Sequence, residues 1–183
     1  DAIFEVLNKI KSEFKDNLPY KYLEVYGAEA DDIIATLCKY TQTEKDRSKN
    51  EKVMIVSGDK DFIQLQRYSN VDQYSPITKK YINGHDPITY IKEHILKGDT
   101  SDGVPNVLSP DHTFTEGLRQ RPLSRKKIDT WIDIDMEDMT DEVKRNYQRN
   151  EKLISLDKIP EELEDDILRE FAGAPHGDRS KLL

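Results

Sequence analysis

The chain has 183 residues, of which 35% are charged, 36% hydrophobic and 8% aromatic, with a formal net charge of −8. That length suits one domain or a small domain plus an extension, and the apolar and aromatic content is enough for a folded core, which excludes a disordered chain. The acidic balance excludes a protein that coats nucleic acid indiscriminately. No apolar run approaches the ~18 residues of a membrane span, and the single cysteine, Cys38, excludes a disulfide framework and points to a reducing compartment.

Ile3, Phe4, Leu7, Ile10, Lys11 and Phe14 follow helical spacing and predict an amphipathic helix over 2–15, broken at Asn17-Leu18-Pro19. Tyr20–Val25 reads as a strand. Glu29, Asp31 and Asp32 then lead into Ile33, Ile34, Ala35, Leu37 and Tyr40, a helix with three carboxylates in its first turn and with Cys38 as a small, inert, buried residue. The helix dipole alone favours an acid there by ~0.3–1 kcal/mol. One acid would satisfy it, whereas three repel one another, a crowding that a cation would relieve.

Thr41–Lys52 is a polar connection. Val53–Val56 is apolar and mostly β-branched, the pattern of a buried parallel strand. Ser57-Gly58 ends it, and Asp59 and Asp61 follow at once, at the strand end where an open α/β sheet keeps its ligand crevice. A plain helix cap, with Asp59 or Asp61 opening a helix over Asp61–Arg67, is the competing reading. Val71–Tyr74 and Lys80–Ile82 flank Ser75-Pro76, giving a strand, a turn and a short edge strand. The strand–helix alternation predicts an α/β fold with a parallel sheet and right-handed crossovers.

Asp86 caps a helix with Pro87 at its first position and Ile88, Ile91, Ile95 and Leu96 on its apolar face, ending at Lys97-Gly98. Asp99 and Asp102 lie in the glycine-bounded stretch 98–107, which is ordinary turn chemistry or a loop that approaches a phosphate or a cation. Leu108–Gly117 reads as irregular, with His112 at the surface. Arg119, Arg121, Arg125, Lys126 and Lys127 concentrate positive charge, either as a solvated face or as phosphate contacts. Ser124 caps a helix holding Lys127, Ile128, Trp131 and Ile132, with Trp131 in the core. Helices over Met139–Leu156 and Pro160–Phe171 and a loop at Gly173–Gly177 complete the chain. It has no internal repeat and no P-loop, since Gly98–Gly103 lacks the Lys-Ser/Thr such a loop needs.

Glu29/Asp31/Asp32, Asp59/Asp61 and Asp99/Asp102 thus form three acidic clusters, read as having no histidine or cysteine company. Hard oxygen ligands point to Mg²⁺ or Mn²⁺ rather than zinc. Carboxylates on neighbouring elements can hold two such ions ~3.5–4 Å apart, the arrangement used for phosphodiester cleavage.

Glu29-Ala-Asp31-Asp32, Ser57-Gly-Asp59-Lys-Asp61-Phe62 and Lys97-Gly-Asp99-Thr-Ser-Asp102-Gly-Val-Pro-Asn106, in this order, resemble the 5′-nuclease family of flap endonucleases and polymerase-linked 5′–3′ exonucleases, above all its phage ribonuclease H branch. Asn150, Lys152–Leu156 and Ile159-Pro160 resemble the family's late helical segment. The resemblance implies a PIN-like nuclease core over 1–97 and a helical duplex-binding region over 98–183 with a helix–three-turn–helix element. It implies two Mg²⁺ or Mn²⁺ ions, with Glu29 and Asp31 as helix-borne ligands, Asp59 on the first ion, Asp61 and Asp102 on the second, Asp99 nearby and Asp32 a weaker candidate. Asp31, Asp59 and Asp61 become the expected catalytic carboxylates. Gly98, Gly103 and the basic residues Arg119, Arg121, Arg125, Lys126 and Lys127 become contacts to duplex DNA, with K⁺ a further candidate ion in that element.

The implied activity is hydrolysis of phosphodiesters at 5′ ends or flaps of DNA or RNA–DNA duplexes, as in RNA-primer removal during replication. The expected setting is a soluble monomer in the cytoplasm of a bacterial or phage-infected cell, with a sliding clamp or single-strand-binding protein as partner. The sequence departs from the family pattern in two respects. It lacks the early strand-end Asp, a second Asp and the basic helical arch, and it lacks the Gly-Ile-Gly turn after Val107. It opens on Asp1 and closes on Lys-Leu-Leu, which reads as a fragment whose activity is weak or absent. The alternative of another class is a catalytically inactive duplex-DNA-binding fragment whose acids only balance charge. A phosphatase with an Asp-x-Asp nucleophile would need Lys and Thr/Ser partners that the sequence does not place.

Overall fold

The computed structural model describes residues 2–42 and 50–175. Most of the polar connection read at Thr41–Lys52, and the end of the Gly173–Gly177 loop, lie outside the described residues. In chain order the helices are α1 (Ala2–Asn17), α2 (Ala30–Thr41), α3 (Pro87–Lys97), α4 (Arg125–Trp131), α5 (Asp141–Ile154) and α6 (Glu161–Gly173). The strands are β1 (Val53–Val56), β2 (Val71–Ser75) and β3 (Lys80–Tyr81). The chain divides into two units, Asp1–Leu37 with Pro160–Leu183, and Cys38–Ile159.

In the first unit, α1 presents Ile3, Phe4, Leu7, Ile10 and Phe14 with none of its residues buried. Tyr20–Val25 is not a strand. β-propensity gives a strand only where a neighbouring backbone completes the ladder, and here side chains make the bonds instead, to residues near and far in the sequence. Lys11 donates to Glu24, Tyr22 Oη donates to Glu24 Oε2 at 3.1 Å, and Lys21 donates to the Phe171 carbonyl while lying 4.5 Å from the centre of its ring.

In the second unit, β1 pairs parallel with β2, Val53 opposite Val71 and Val56 opposite Tyr74. β2 turns through Pro76–Lys79, where Lys79 adopts φ 56°, and pairs antiparallel with β3. The sheet of the described residues is therefore mixed, in the order β1-β2-β3, with the parallel arrangement confined to β1 and β2. The antiparallel pair is the strand, turn and edge strand expected around Ser75-Pro76. Tyr74 and Tyr81 meet edge-on across it, ring centres 5.4 Å apart.

The crossover from β1 to β2 is a 3₁₀ helix over Asp61–Arg67 rather than an α-helix. Four successive residues, Phe62, Ile63, Gln64 and Leu65, are buried in it, which leaves no amphipathic 3.6-residue alternation across its middle. α3 packs against both this crossover and α5. Leu96, Val107, Ile128, Met139 and Val143 form a core under α3, α4 and α5, with Trp131, Ile132 and Tyr147 packed on it. α5 is shorter than the sequence pattern suggested. Thr140 takes extended dihedrals (φ −64°, ψ 152°) at its N-cap, and Met136–Asp138 forms a separate 3₁₀ turn.

Beyond α5, Asp157 receives both guanidinium nitrogens of Arg67, which also lies 4.9 Å from the Tyr68 ring centre. The Arg67 hydrogen bonds hold the Asp157 carboxyl below its ordinary range against the opposing effect of burial. Asp157 therefore stabilises the fold above its unfolded pKa, and that contribution is lost as pH falls through its lower folded value. Its side chain is 48% exposed, so solvent screens the pair. Asp157→Asn is expected to lower stability by about 0.5–1 kcal/mol at pH 7, with the difference from wild type vanishing in acid. Urea denaturation at neutral and acid pH measures this.

Candidate functional site

An open cleft of about 690 Å³ lies where β1 ends, and Asp59, Asp61, Asp99 and Asp102 all line it, together with Ser57, Tyr90 and His94. Two chain segments supply the carboxylates. The first is the turn after β1, in which the Asp59 amide donates to Ser57 Oγ at 3.1 Å and the Asp61 amide to Asp59 Oδ1 at 3.0 Å. Lys60, rather than Asp59 or Asp61, stands at the N-cap of the 3₁₀ crossover and makes no side-chain cap bond, while Asp59 closes a turn onto the Asp61 amide and also lines the cleft.

This turn is held from behind by Gln73 on β2, which is fully buried. Its Nε2 donates to the carbonyls of Ser57, at 3.0 Å, and of Asp59, and its Oε1 accepts from Gln66 Nε2 at 3.1 Å. A β-carbon on Gly58 would lie 3.2 Å from Ser75 Oγ, so the turn runs tight against β2.

The second segment follows α3. Gly98 caps that helix, its amide donating to the His94 carbonyl at 2.8 Å. Asp99 Oδ1 accepts from the Ser101 hydroxyl, from the Ser101 amide at 2.8 Å and from the Asp102 amide at 3.4 Å. The Val104 amide closes the loop onto the Asp99 carbonyl at 2.7 Å. α5 anchors the stretch beyond. Asn150 Nδ2 donates to the carbonyls of Ile95 (2.8 Å) and Pro105 (2.9 Å), Asn146 Nδ2 to those of Val107 (3.0 Å) and Ser109 (3.2 Å), and Arg149 Nη2 to Pro105 (2.8 Å). Asn146 and Asn150 are both fully buried. They share the inward face of α5 with Val143 and Ile154. Two amides interrupting an apolar helical face are the sequence signal that would have marked this clamp.

The carboxylates are not without nitrogen company. His94, in the last turn of α3, sits between Asp61 (Nδ1 to Oδ1, 3.5 Å) and Asp99 (Nε2 to Oδ2, 3.1 Å). The reading of three clusters free of histidine fails here, because the neighbours of His94 are brought to it by the crossover and by the loop after Gly98. Tyr90, one helical turn earlier, packs edge-on to the His94 ring at 5.8 Å.

Burial raises the Asp61 pKa; the adjoining His94 lowers it, and Asp59, Asp99 and Asp102 raise it again, leaving it above its ordinary value. Burial, with Asp61, Asp59 and Asp99 nearby, pushes the Tyr90 phenol up to about 12, so it remains a hydrogen-bond donor at neutral pH. For Asp99 burial acts upward too, but the hydrogen bonds from Ser101 and His94 prevail and hold it below its ordinary value.

Glu29, Asp31 and Asp32 lie at the start of α2, in the first unit. The Glu29 amide donates to Asp32 Oδ2 at 2.9 Å, so Asp32 works as part of the helix cap. Among the basic residues, Arg121 pairs with Glu142 at 3.0 Å, and Arg125 pairs with Glu93 at 2.9 Å and Asp129 at 2.7 Å. Lys127 lies 4.5 Å from the Trp131 ring centre, and all five of these basic residues are exposed. His112 is at the surface, as expected, and Cys38 is buried, its thiol pushed up to about 11 by burial.

Residues 2–94 match the family model described as 5′–3′ exonuclease, N-terminal resolvase-like domain, and residues 86–183 match that described as T4 RNase H, C terminal. The ribonuclease H of Enterobacteria phage T4 is 33% identical over all of this chain and 61% of its own length. A 5′–3′ exonuclease of Buchnera aphidicola (subsp. Schizaphis graminum) is 37% identical over 50% of this chain and 33% of its own. DNA polymerase I of Lactococcus lactis is 32% identical over 55% of this chain and 14% of its own. The chain therefore spans less than two thirds of the length of each of these relatives. A mutant of the T5 5′-exonuclease superposes with a TM-score of 0.58 at 18% identity, covering 92% of this chain and 76% of that one. A T5 protein co-crystallised with metal ions gives 0.58 at 19%, covering 91% and 68%. These two share the fold.

Proposed function

We propose that this chain, which belongs to the 5′–3′ exonuclease family and carries a carboxyl-terminal region of the T4 ribonuclease H type, is part of a divalent-metal-dependent 5′-nuclease. Its substrates are the 5′ ends or flaps of DNA or RNA–DNA duplexes, as in removal of RNA primers during replication. The observation that carries this reading is the convergence of Asp59, Asp61, Asp99 and Asp102 in one cleft.

That donor set suits Mg²⁺ or Mn²⁺. Burial first, and then Asp59, Asp99 and Asp102, disfavour the ionised form of Asp61, and a divalent cation would neutralise the charge gathered there. When bound, two such ions supply an activated water and charge stabilisation at the scissile phosphate. Asp59 would serve the first ion and Asp61 and Asp102 the second, with Asp99 a further metal ligand beside them. Glu29 and Asp31 are proposed as further ligands from α2, with Asp31, Asp59 and Asp61 as the catalytic carboxylates. Tyr90 lines the cleft with a phenol that burial and the neighbouring carboxylates keep protonated at neutral pH.

The functional division we propose is 1–97 as nuclease core and 98–183 as duplex-binding region. Within it, the stretch from Gly98 onward is proposed as the start of the helix–three-turn–helix element, with K⁺ a candidate ion there. Arg119, Arg121, Arg125, Lys126 and Lys127, all exposed, are its proposed phosphate contacts. A sliding clamp or single-strand-binding protein is the proposed partner class in replication.

Labelled 5′-flap DNA incubated with the natural-length protein, with and without Mg²⁺, tests the activity. Cleavage that requires the metal supports it. Duplex binding with no cleavage under either condition favours an inactive DNA-binding fragment.

Gln73 acts as a positioning residue in this reading. Gln73→Glu keeps the shape but removes the donor and sets a carboxylate against two carbonyls. It is expected to weaken Mn²⁺ binding by roughly 10–100-fold, as loss of an outer support does at metal sites, and to lower stability by about 1–3 kcal/mol. Mn²⁺ titration followed by electron paramagnetic resonance, paired with thermal denaturation, measures both. A folded variant with unchanged Mn²⁺ affinity would remove the positioning role.

A further inference from the structure

We infer that His94 is a nitrogen ligand for a divalent ion held jointly with Asp61 and Asp99, which shifts the cleft's preference from Mg²⁺ toward Mn²⁺ and Co²⁺. The inference rests on the nuclease reading of the cleft and goes beyond it, because the expected ligand set of such a site was oxygen alone.

Three observations carry it. Asp61, His94 and Asp99 each offer a ligand atom, and these atoms lie within 4.8 Å of one another. A first-row ion with bonds of ~2.0–2.2 Å gathers ligands over nearly that span. The three side chains are 24%, 16% and 18% exposed, so they open to the cleft yet are shielded from bulk water. The imidazole is also oriented, since it stands on the last turn of α3, is packed edge-on by Tyr90 at 5.8 Å, and is flanked by a carboxylate at each ring nitrogen.

Metal-bound histidines characteristically give their second ring nitrogen to a carboxylate. With Asp61 and Asp99 on opposite nitrogens, either one can fill that supporting position while the other shares the ion. Imidazole is a softer donor than carboxylate, and divalent affinity rises from Mn²⁺ to Co²⁺, whereas Mg²⁺ keeps to oxygen and dehydrates reluctantly. One nitrogen among the carboxylates therefore changes which metal is preferred while leaving the net charge of the carboxylate set unaltered. The competing account is that His94 only fills the space between two acids as a structural pair.

Pulsed electron paramagnetic resonance of the Mn²⁺-loaded protein tests this at fixed pH. The expected result is a ¹⁴N modulation of the imidazole type in the wild type, replaced by the ¹⁵N pattern when the protein is made with ¹⁵N-histidine. This measurement requires no variant and so does not depend on a mutant's folding. In His94→Gln the modulation is lost, and the ratio of Mn²⁺ to Mg²⁺ affinity, read by competition, falls on the order of tenfold. Mn²⁺ bound with no nitrogen modulation and an unchanged ratio in His94→Gln overturns the inference while leaving the nuclease reading intact. Mn²⁺ binding that is indifferent to both Asp59→Asn and Asp61→Asn removes the metal cleft itself, and the nuclease reading falls with it.

Discussion

Asp61→Asn is expected to lower flap cleavage by about 10²–10³-fold and, at the same time, to make the metal-free protein more stable. The first effect follows from the part proposed for Asp61. Losing one carboxylate from a metal cluster removes several kcal/mol of charge stabilisation from the transition state, and each ~1.4 kcal/mol is a tenfold change in rate. The second effect follows from the same geometry. Asp61 is held above its ordinary pKa, first by burial and then by Asp59, Asp99 and Asp102, with only His94 acting the other way. An acid whose pKa is higher in the folded than in the unfolded state weakens the fold at every pH where it is ionised. The neutral amide removes that repulsion and keeps the shape, for a gain on the order of 0.5–2 kcal/mol, the usual range when a strained functional group is relieved. The opposite signs separate the roles. A merely structural Asp61 would lose stability on substitution, and loss of cleavage together with lowered stability would count against the cleft as a metal site. Single-turnover cleavage in Mg²⁺ and urea denaturation in a chelator, both at neutral pH, give the two numbers.

Much of this cleft was legible because its chemistry sits where chain punctuation is strongest. A β-branched run ending at Ser57-Gly58 with Asp59 and Asp61 beyond it marks a strand end, and Lys97-Gly98-Asp99 marks a helix end. Both signals are local, and both survived into the structure. What stayed hidden depends on partners distant in sequence. His94 reads as one more polar residue near the end of α3 until Asp61 and Asp99 are brought to its two nitrogens. Gln73 reads as a strand residue, yet it supports the turn that carries Asp59. Asn146 and Asn150 interrupt the apolar face of α5, but the loop from Pro105 to Ser109 against which they are buried lies elsewhere in the sequence. Tyr20–Val25 failed in the reverse sense. Its strand character was local, but a strand also needs a neighbour's backbone, and the segment's side chains bond to Lys11 and to the Phe171 carbonyl instead.

Gly98→Ala is expected to cost about 2–6 kcal/mol and to disorganise the loop that carries Asp99 and Asp102. Gly98 adopts φ 69° and ψ 179°, a region open essentially to glycine alone, in which other residues pay ~1–3 kcal/mol. A β-carbon there would also fall 2.4 Å from the Val104 carbonyl oxygen and 2.6 Å from the Pro105 carbonyl carbon. Those are backbone atoms pinned by the Asp99–Val104 bridge and by Asn150 and Arg149, so they cannot swing aside as a flexible side chain would. Overpacking against fixed neighbours costs a further ~1–3 kcal/mol. Against a typical domain stability of ~5–15 kcal/mol this is a large fraction. Gly103 supplies the internal comparison. It too has positive φ, at 73°, but a β-carbon would meet nothing within 4 Å. Gly103→Ala should therefore cost only the backbone term, roughly 1–2 kcal/mol. Denaturant midpoints for the two variants decide the matter. Equal losses would mean that the Gly98 crowding is relieved by backbone movement. A much larger loss at Gly98, accompanied by weakened Mn²⁺ binding, would show that the close passage of Val104 and Pro105 over Gly98 is what fixes Asp99 and Asp102 against the end of β1.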